Sequence, residues 1–223
     1  MTNIWITYHC DTQIEEFHLQ EDDTYHLFRG NDTNIEGDNI NYLNPFYSEL
    51  VTLYWVWKNN RRSDFVGFCH YRRKFTHLIP IESGQCQVLA INNNCYVFGH
   101  FKAYHNYQDY YDAIDVINDK YGDDNKYTNY LLKSKTFVPF CCFVMRWEDF
   151  CSLCEWLFPI LFALDKKWGM NMKPEKYIEK ACRDFRYDNI QYQQRAMSFL
   201  AERLISCYIV AEMKPFYVQT LLR

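Results

Sequence analysis

The 223-residue sequence predicts an α/β fold, a mixed sheet flanked by helices, on three observations. Short apolar runs of strand length occur at residues 3–8, 65–69 and 135–145. They alternate with longer stretches whose apolar residues recur at helical spacing, the arrangement of helices that cover a sheet. A polar, twice-cationic cluster, His70-Tyr71-Arg72-Arg73, follows directly on the run at 65–69. In open α/β sheets, ligands bind there, beyond the carboxyl ends of the strands.

Composition sets outer bounds. The length suits one domain, and 48% hydrophobic with 19% aromatic residues is ample for a packed core. A net charge of −4 speaks against a general nucleic-acid binder. The first residues lack the basic start and small-residue cleavage site of a secretory signal, and the apolar run around 156–164 is too short to span a bilayer. The expectation is a cytoplasmic protein, with peripheral contact at the inner face of the cell membrane left open. Of ten cysteines, only Cys151 and Cys154 form a CxxC pair; it has no second pair and lies in a helical pattern. Structural zinc usually needs four ligands, and thiols in an unexported chain stay reduced, so buried, inert thiols are expected. No repeat, low-complexity segment or Gly/Pro/Ser-rich linker appears.

In chain order, 3–8 reads as the first strand, with His9-Cys10-Asp11 as the loop at its carboxyl end. Residues 15–34 are polar, with scattered aromatics, and suit surface loop and a short strand. Gly37-Asp38-Asn39-Ile40 reads as a tight loop that either binds a ligand through Asp38 and Asn39 or serves as turn and helix cap. A helix is expected over 45–58. Asn44 suits its N-cap, and Pro45 suits the first helical position, where no backbone donor is needed. Glu49 lies near the positive end of the dipole, and Phe46, Leu50, Leu53 and Trp57 make one apolar face. Residues 58–63 end it with cations and turn formers.

Residues 65–69 form a continuous apolar run, the pattern of a strand covered on both faces. The two arginines beyond it suit a phosphate or diphosphate, because guanidinium is a planar fork that pairs oxyanions. The alternative makes Arg72 and Arg73 solvated strand-end charges, one of them paired with a carboxylate. Side chains alternate along a strand, so one arginine alone need face a site. Glu49 could instead brace an arginine from within the fold.

Residues 77–94 read as loop and strand, with apolar runs at 78–81 and 87–91, and 96–98 as another short strand. An aromatic-rich helix is expected over 108–120 and a strand over 135–145. Glu148-Asp149 opens a helix with Phe150, Leu153, Cys154, Leu157, Phe158 and Leu161 on one face, and Pro159 is expected to kink it. The last helix, 190–210, buries Phe199, Leu200, Leu204, Cys207 and Tyr208 and carries Arg195, Ser198, Glu202 and Ser206 along one polar edge. Arg195 and Glu202, seven residues apart, are nearly eclipsed on it.

Several of these segments together carry a resemblance. Gly37 to Ile40, Glu49-Leu50, Tyr54-Trp55, Trp57-Lys58-Asn59, Gly67 and His70 to Arg73 resemble, at fixed spacing, a bacterial family of capsular, exopolysaccharide and lipopolysaccharide glycosyltransferases long catalogued as a domain of unknown function. Val51 is a small departure from its pattern. Phe199-Leu200-Ala201-Glu202-Arg203-Leu204 is similar to the family's late motif, with Ser198 where a glycine is usual. Cys141-Cys142-Phe143 stands where members commonly carry Asn-Met-Phe, and a cysteine hydrogen-bonds a sugar hydroxyl poorly.

The resemblance implies a GT-A-like, Rossmann-like nucleotide-sugar transferase fold in a single domain, with 1–100 as the nucleotide-binding half and 101–223 as the acceptor-side half. It implies transfer of a hexose, galactofuranose among the candidates, from a nucleotide-sugar donor, UDP-hexose first, to a glycan acceptor on a lipid carrier. The donor is then expected at Tyr8, His9, Asp38, Asn39, Arg72 and Arg73, and the acceptor or sugar at His105 and Arg195. His9 is equally readable as an ordinary loop residue, and a lone histidine such as His105 is more often structural. Glu202 would deprotonate an acceptor hydroxyl, unless it only makes a helix-face salt bridge. No Asp-x-Asp motif occurs, so His70, Arg72 and Arg73 are expected to replace a metal in stabilising the departing diphosphate. No cofactor is implied, although a divalent ion held by Asp38 and other carboxylates stays open. Two other readings stand beside this one: a catalytically degenerate sugar- or nucleotide-binding partner in a polysaccharide assembly complex, and a hydrolase of sugar nucleotides.

Overall fold

A computed structural model describes residues 1–183 and 189–218. Its centre is a six-stranded mixed sheet in the order β2-β1-β3-β5-β4-β6. The strands are β1 (Thr2–Tyr8), β2 (Tyr25–Arg29), β3 (Phe65–His70), β4 (Gln85–Val88), β5 (Phe143–Arg146) and β6 (Lys214–Phe216). β1 runs parallel to both β2 and β3, whereas β5 runs antiparallel to β3 and β4, and β6 returns parallel to β4. Strands from both halves of the chain therefore build one sheet.

The alternation along β3 shows why both faces must be covered. Val66 and Phe68 enter the larger hydrophobic cluster, and Cys69 the smaller one with Ile4, Ile6, Tyr25, Phe75, Ile81 and Val144. Gly67 lets the three central strands close up: a Cβ there would meet Val144 Cγ2 at 2.7 Å, the Phe143 carbonyl at 3.0 Å and Ile4 Cγ1 at 3.1 Å. Ten helices complete the fold: α1 (Asp11–Glu16), α2 (Asn44–Tyr47), α3 (Leu50–Lys58), α4 (Val97–Tyr104), α5 (Tyr107–Tyr121), α6 (Lys126–Lys133), α7 (Trp147–Lys167), α8 (Pro174–Ala181), α9 (Ile190–Gln193) and α10 (Ala196–Glu212) among the described residues.

Several expectations need correction. The helix at 45–58 is two helices, broken at Ser48, whose φ of 50° no continuing helix allows. Asn44 is consequently not an N-cap; its Nδ2 donates to the Ser48 carbonyl at 3.2 Å, within the break. Residues 96–98 open α4 rather than a strand, because Val97 and Phe101, four apart, bury one helical face. The strand at 135–145 is cut to Phe143–Arg146, since Phe140 (φ 79°) and Cys141 (φ 52°) turn the chain out of the ladder. β4 covers Gln85–Val88, upstream of the apolar 87–91. α1, α6, α8 and β6 have no counterpart in the sequence reading. Pro159 lies inside the unbroken α7. The helix at 190–210 is interrupted at Gln194-Arg195, and Arg195 caps α10 instead of lying on it. All ten cysteines are free, but Cys10 and Cys182 are exposed, so not all are buried. No described helix is long and apolar enough to cross a membrane.

Candidate active site

Chain direction decides what meets at the carboxyl ends of β1 and β3. Thr7 pairs with His70, so His9 and His70-Tyr71-Arg72-Arg73 leave the sheet at the same edge. β5 is antiparallel and pairs Phe143 with Phe68, so the turn just before it, Phe140-Cys141-Cys142, arrives at that edge too. The Ser48 break points the start of α3 there, and the start of α10 closes the cluster.

The break is held from two sides. Ser48 N–H donates to the Asn44 carbonyl at 2.8 Å, and the Arg195 guanidinium donates from Nε and Nη2 to Ser48 Oγ at 3.1 and 2.8 Å. A non-glycine residue held in such a conformation costs on the order of 1–3 kcal/mol, and such strain clusters at functional sites. Its local effect is to restart the helix with Glu49 at the N-cap of α3, its carboxylate beside the strand end.

Glu49 Oε1 lies 3.5 Å from His70 Nε2, with side chains 19% and 10% exposed. This is not an ion pair. Burial first, and then the Arg72 and Arg73 charges, push His70 down to about 3, so the ring is neutral. The Arg72 backbone N–H donates to His70 Nδ1 at 3.3 Å, which leaves the ring proton on Nε2, facing Glu49. Burial raises Glu49, the nearby Arg195 and Arg72 oppose that rise, and Glu202 adds to it. Among the described residues, only its own backbone N–H and, at longer range, His70 approach this carboxylate as donors.

The two strand-end arginines remain available. Arg72 is exposed beside the Tyr71 ring at 5.2 Å; Arg73 lies 3.9 Å over the Phe140 ring. Neither forms an ion pair among the described residues, so the strand-end ion pair and the Glu49–Arg73 brace considered from sequence are not what holds them. Arg73 N–H closes the turn onto the His70 carbonyl at 2.8 Å.

Glu202 is engaged differently. Its Oε1 accepts the Phe140 backbone N–H at 2.8 Å, and its Oε2 is ion-paired with Arg203. Arg203 is 3% exposed, and its Nη2 meets His100 Nδ1 at 2.9 Å. The salt bridge considered between Glu202 and Arg195 is therefore replaced by one to the next residue along, while Arg195 turns to Ser48.

The remaining expected site residues separate. His9 belongs to the cluster: its ring lies edge-on to Tyr71 at 6.0 Å, and burial together with Arg195 lowers its pKa. Tyr8 points elsewhere, into surroundings set by Arg29, Asp11, Glu21 and Asp32. His105, 5% exposed, stacks on Phe199 at 4.0 Å, in the packing behind α10. Asp38 lies at the other end of α3: its backbone N–H donates to Asn59 Oδ1 at 3.0 Å, and Tyr54 Oη donates to its carboxylate at 3.3 Å. Asn39 bonds within its own loop, to the Ile35 and Gly37 carbonyls. Nine residues of helix, about 14 Å at 1.5 Å per residue, separate that end from Glu49. The structure does not bring Asp38 and Asn39 to the arginines.

Sequence reasoning missed Ser48, Phe140 and Arg203 as parts of this site and gave Glu49 only a dipole or bracing role. The available signal was the acid directly after the first helical turn that starts at Pro45. Among the described residues no three His, Cys, Asp or Glu side chains cluster as a metal site would need.

The sheet order, its flanking helices and the cationic cluster at the strand ends define a mixed α/β domain of the GT-A-like class. The chain belongs to the family described as Domain of unknown function (DUF4422), whose pattern matches residues 10–94 and 85–213. A solved structure titled as the apo form of the bifunctional glycosyltransferase WbbM is similar, with a TM-score of 0.69 and 21% identity. The match covers 98% of this chain and 44% of that one, so the chain spans less than half of that protein's length. At this identity the likeness speaks for the fold. No curated protein matches the chain.

Proposed function

We infer that the protein is a glycosyltransferase that moves a hexose from a nucleoside-diphosphate sugar, UDP-hexose first, to a growing bacterial surface polysaccharide carried on a lipid. The observation that carries this reading is the pair of guanidinium groups, Arg72 and Arg73, without an ion pair among the described residues, beside a part-buried carboxylate at the carboxyl edge of a GT-A-like sheet. Sugar transfer needs the departing diphosphate stabilised and an acceptor hydroxyl placed against the anomeric carbon. Arg72 and Arg73 supply fixed positive charge without a metal, which costs no reorganisation as charge develops on the leaving group. His70, neutral with its proton on Nε2, adds no competing positive charge, and its Nδ1 holds the Arg72 backbone. His9 and Arg195 line the same opening. A lipid-carried acceptor would bring the protein to the inner face of the membrane.

The degenerate-binder reading keeps one supporting observation: Cys141, with a poorly bonding thiol, sits in the turn that walls the cleft. Thermal stabilisation by a panel of nucleoside diphosphates, with and without manganese, tests the donor site. UDP at a hundred times its dissociation constant should add roughly 2.7 kcal/mol. A metal-independent shift lost in Arg72→Ala/Arg73→Ala supports the transferase; no shift with any nucleotide overturns it. A shift without turnover by an added acceptor selects the degenerate binder, and release of free sugar the hydrolase.

A further inference from the structure

We propose that Glu49 is the catalytic base of this site and that Glu202 is a positioning residue that shapes the cleft wall; the proposal rests on the transferase reading above. Two carboxylates stand in the strand-end cluster, and their surroundings assign them different work. Glu202 has one oxygen on the Phe140 backbone N–H and the other on buried Arg203. Those bonds hold its charge and fix a turn whose residues sit at φ 79° and 52°, a geometry that needs an outside brace. Taking up a proton there would weaken the Arg203 pair and leave a buried cation without its partner, which is costly.

Glu49 has no such commitment. Its side chain keeps 19% of its surface exposed, and the Nε2–H of a neutral imidazole faces its Oε1 at 3.5 Å, which orients it without neutralising it. The groups facing it from the packed elements are His70 and Arg72 at the β3 end, Arg195 and Glu202 from α10, and Cys141 from the turn. Burial raises its proton affinity above that of an ordinary glutamate, which makes it a stronger base. The Ser48 break explains its position: it restarts the helix and leaves Glu49 at the N-cap, beside the strand end.

The step balances without a further reactant. The acceptor O–H proton passes to the Glu49 carboxylate as the acceptor oxygen bonds the anomeric carbon. The anomeric carbon–oxygen bond to the diphosphate breaks, and its electron pair leaves with the nucleoside diphosphate, facing Arg72 and Arg73. Attack from the side opposite the leaving group inverts the anomeric configuration.

The test compares wild type, Glu49→Gln, Glu49→Asp and Glu202→Gln for UDP binding, for transfer to an added glycan acceptor, and for product configuration. Glu49→Gln should lower kcat at least 100-fold with UDP affinity held within about threefold. Glu49→Asp should regain part of that rate and keep the acid limb of the kcat–pH profile, which should lie above the ordinary glutamate range. Glu202→Gln should raise acceptor KM more than it lowers kcat and leave that limb in place. The proposal is overturned if Glu49→Gln keeps more than a tenth of wild-type turnover, or if it loses UDP affinity and turnover in parallel, as a mere brace for the cleft would. Retained configuration in the wild-type product overturns it with no variant at all. Failure of wild type to bind any nucleoside diphosphate is a different result: it removes the transferase reading and the proposal with it.

Discussion

The two ends of α3 carry parts of one sequence signature and do opposite things. At its start, Glu49 stands beside a neutral histidine, with Arg72 and Arg195 nearby and few bonds of its own. At its finish, Asp38 and Asn59 are sewn together: Asn59 Nδ2 donates to the Asp38 and Trp55 carbonyls, both at 2.8 Å, while Trp55 Nε1 donates to the Glu36 carbonyl at 2.9 Å. One end leaves its two guanidinium groups without an ion pair among the described residues, and the other spends its polar groups on the chain itself. Residues that recur together in a pattern thus need not share a role; their hydrogen-bond ledger separates scaffold from site.

The sharpest way to break this comparison is at the first end. Arg72→Ala/Arg73→Ala should abolish UDP-dependent thermal stabilisation and cut turnover by 10²-fold or more while the melting temperature without ligand moves little. At the second end the reverse is expected. Gly37 has φ 91°, and a Cβ there would lie 2.0 Å from Asn59 Oδ1, so Gly37→Ala should destabilise the fold by about 2–4 kcal/mol in denaturant titration. Its UDP shift should persist at temperatures where it is folded.

A pH titration sharpens the first end further. His70 is lowered in the folded state from 6.5 to about 3, so its contribution is fully present above pH 6.5 and is lost as pH falls toward 3. Between pH 6.5 and 4.5 that loss should approach about 2 kcal/mol, and His70→Gln should flatten it. Glu49 works the other way: raised in the fold, it favours the folded state at low pH and loses that contribution as pH rises through its folded value. Glu49→Gln should therefore steepen the acid-side loss. The smallest effect belongs to Asp38→Asn, which keeps the backbone bonds to Asn59: about 1 kcal/mol or less in stability and no change in UDP affinity. Loss of nucleotide binding in Asp38→Asn would erase the distinction between the two ends.

What the sequence made legible follows from what is local. β1, β3 and α7 are long, periodic or apolar enough to be read directly, and the arginines stand out because they follow an apolar strand. The mixed sheet and GT-A-like class were also within reach. The unreadable parts are those where tertiary contacts override local pattern. Ser48, Phe140 and Cys141 take left-handed backbone angles with no glycine to announce them. The Glu202–Phe140 bond spans 62 residues, and nothing in the spacing of either segment foretells it. Asp38 lies apart from the arginines for a related reason: a Gly-Asp-Asn loop does not announce in sequence that its backbone bonds an asparagine at the end of the next helix.

Gly67 gives the strand ends their gauge. By having no side chain it lets Ile4 and Val144 approach across β3, three residues below His70, and so fixes how far apart His9 and the Phe140 turn emerge. The spread of the strand-end cluster is thus set by a dimension of the sheet beneath it. Loops above can change which side chains gather there, but the spacing of the strands that carry them is inherited from one absent methyl group.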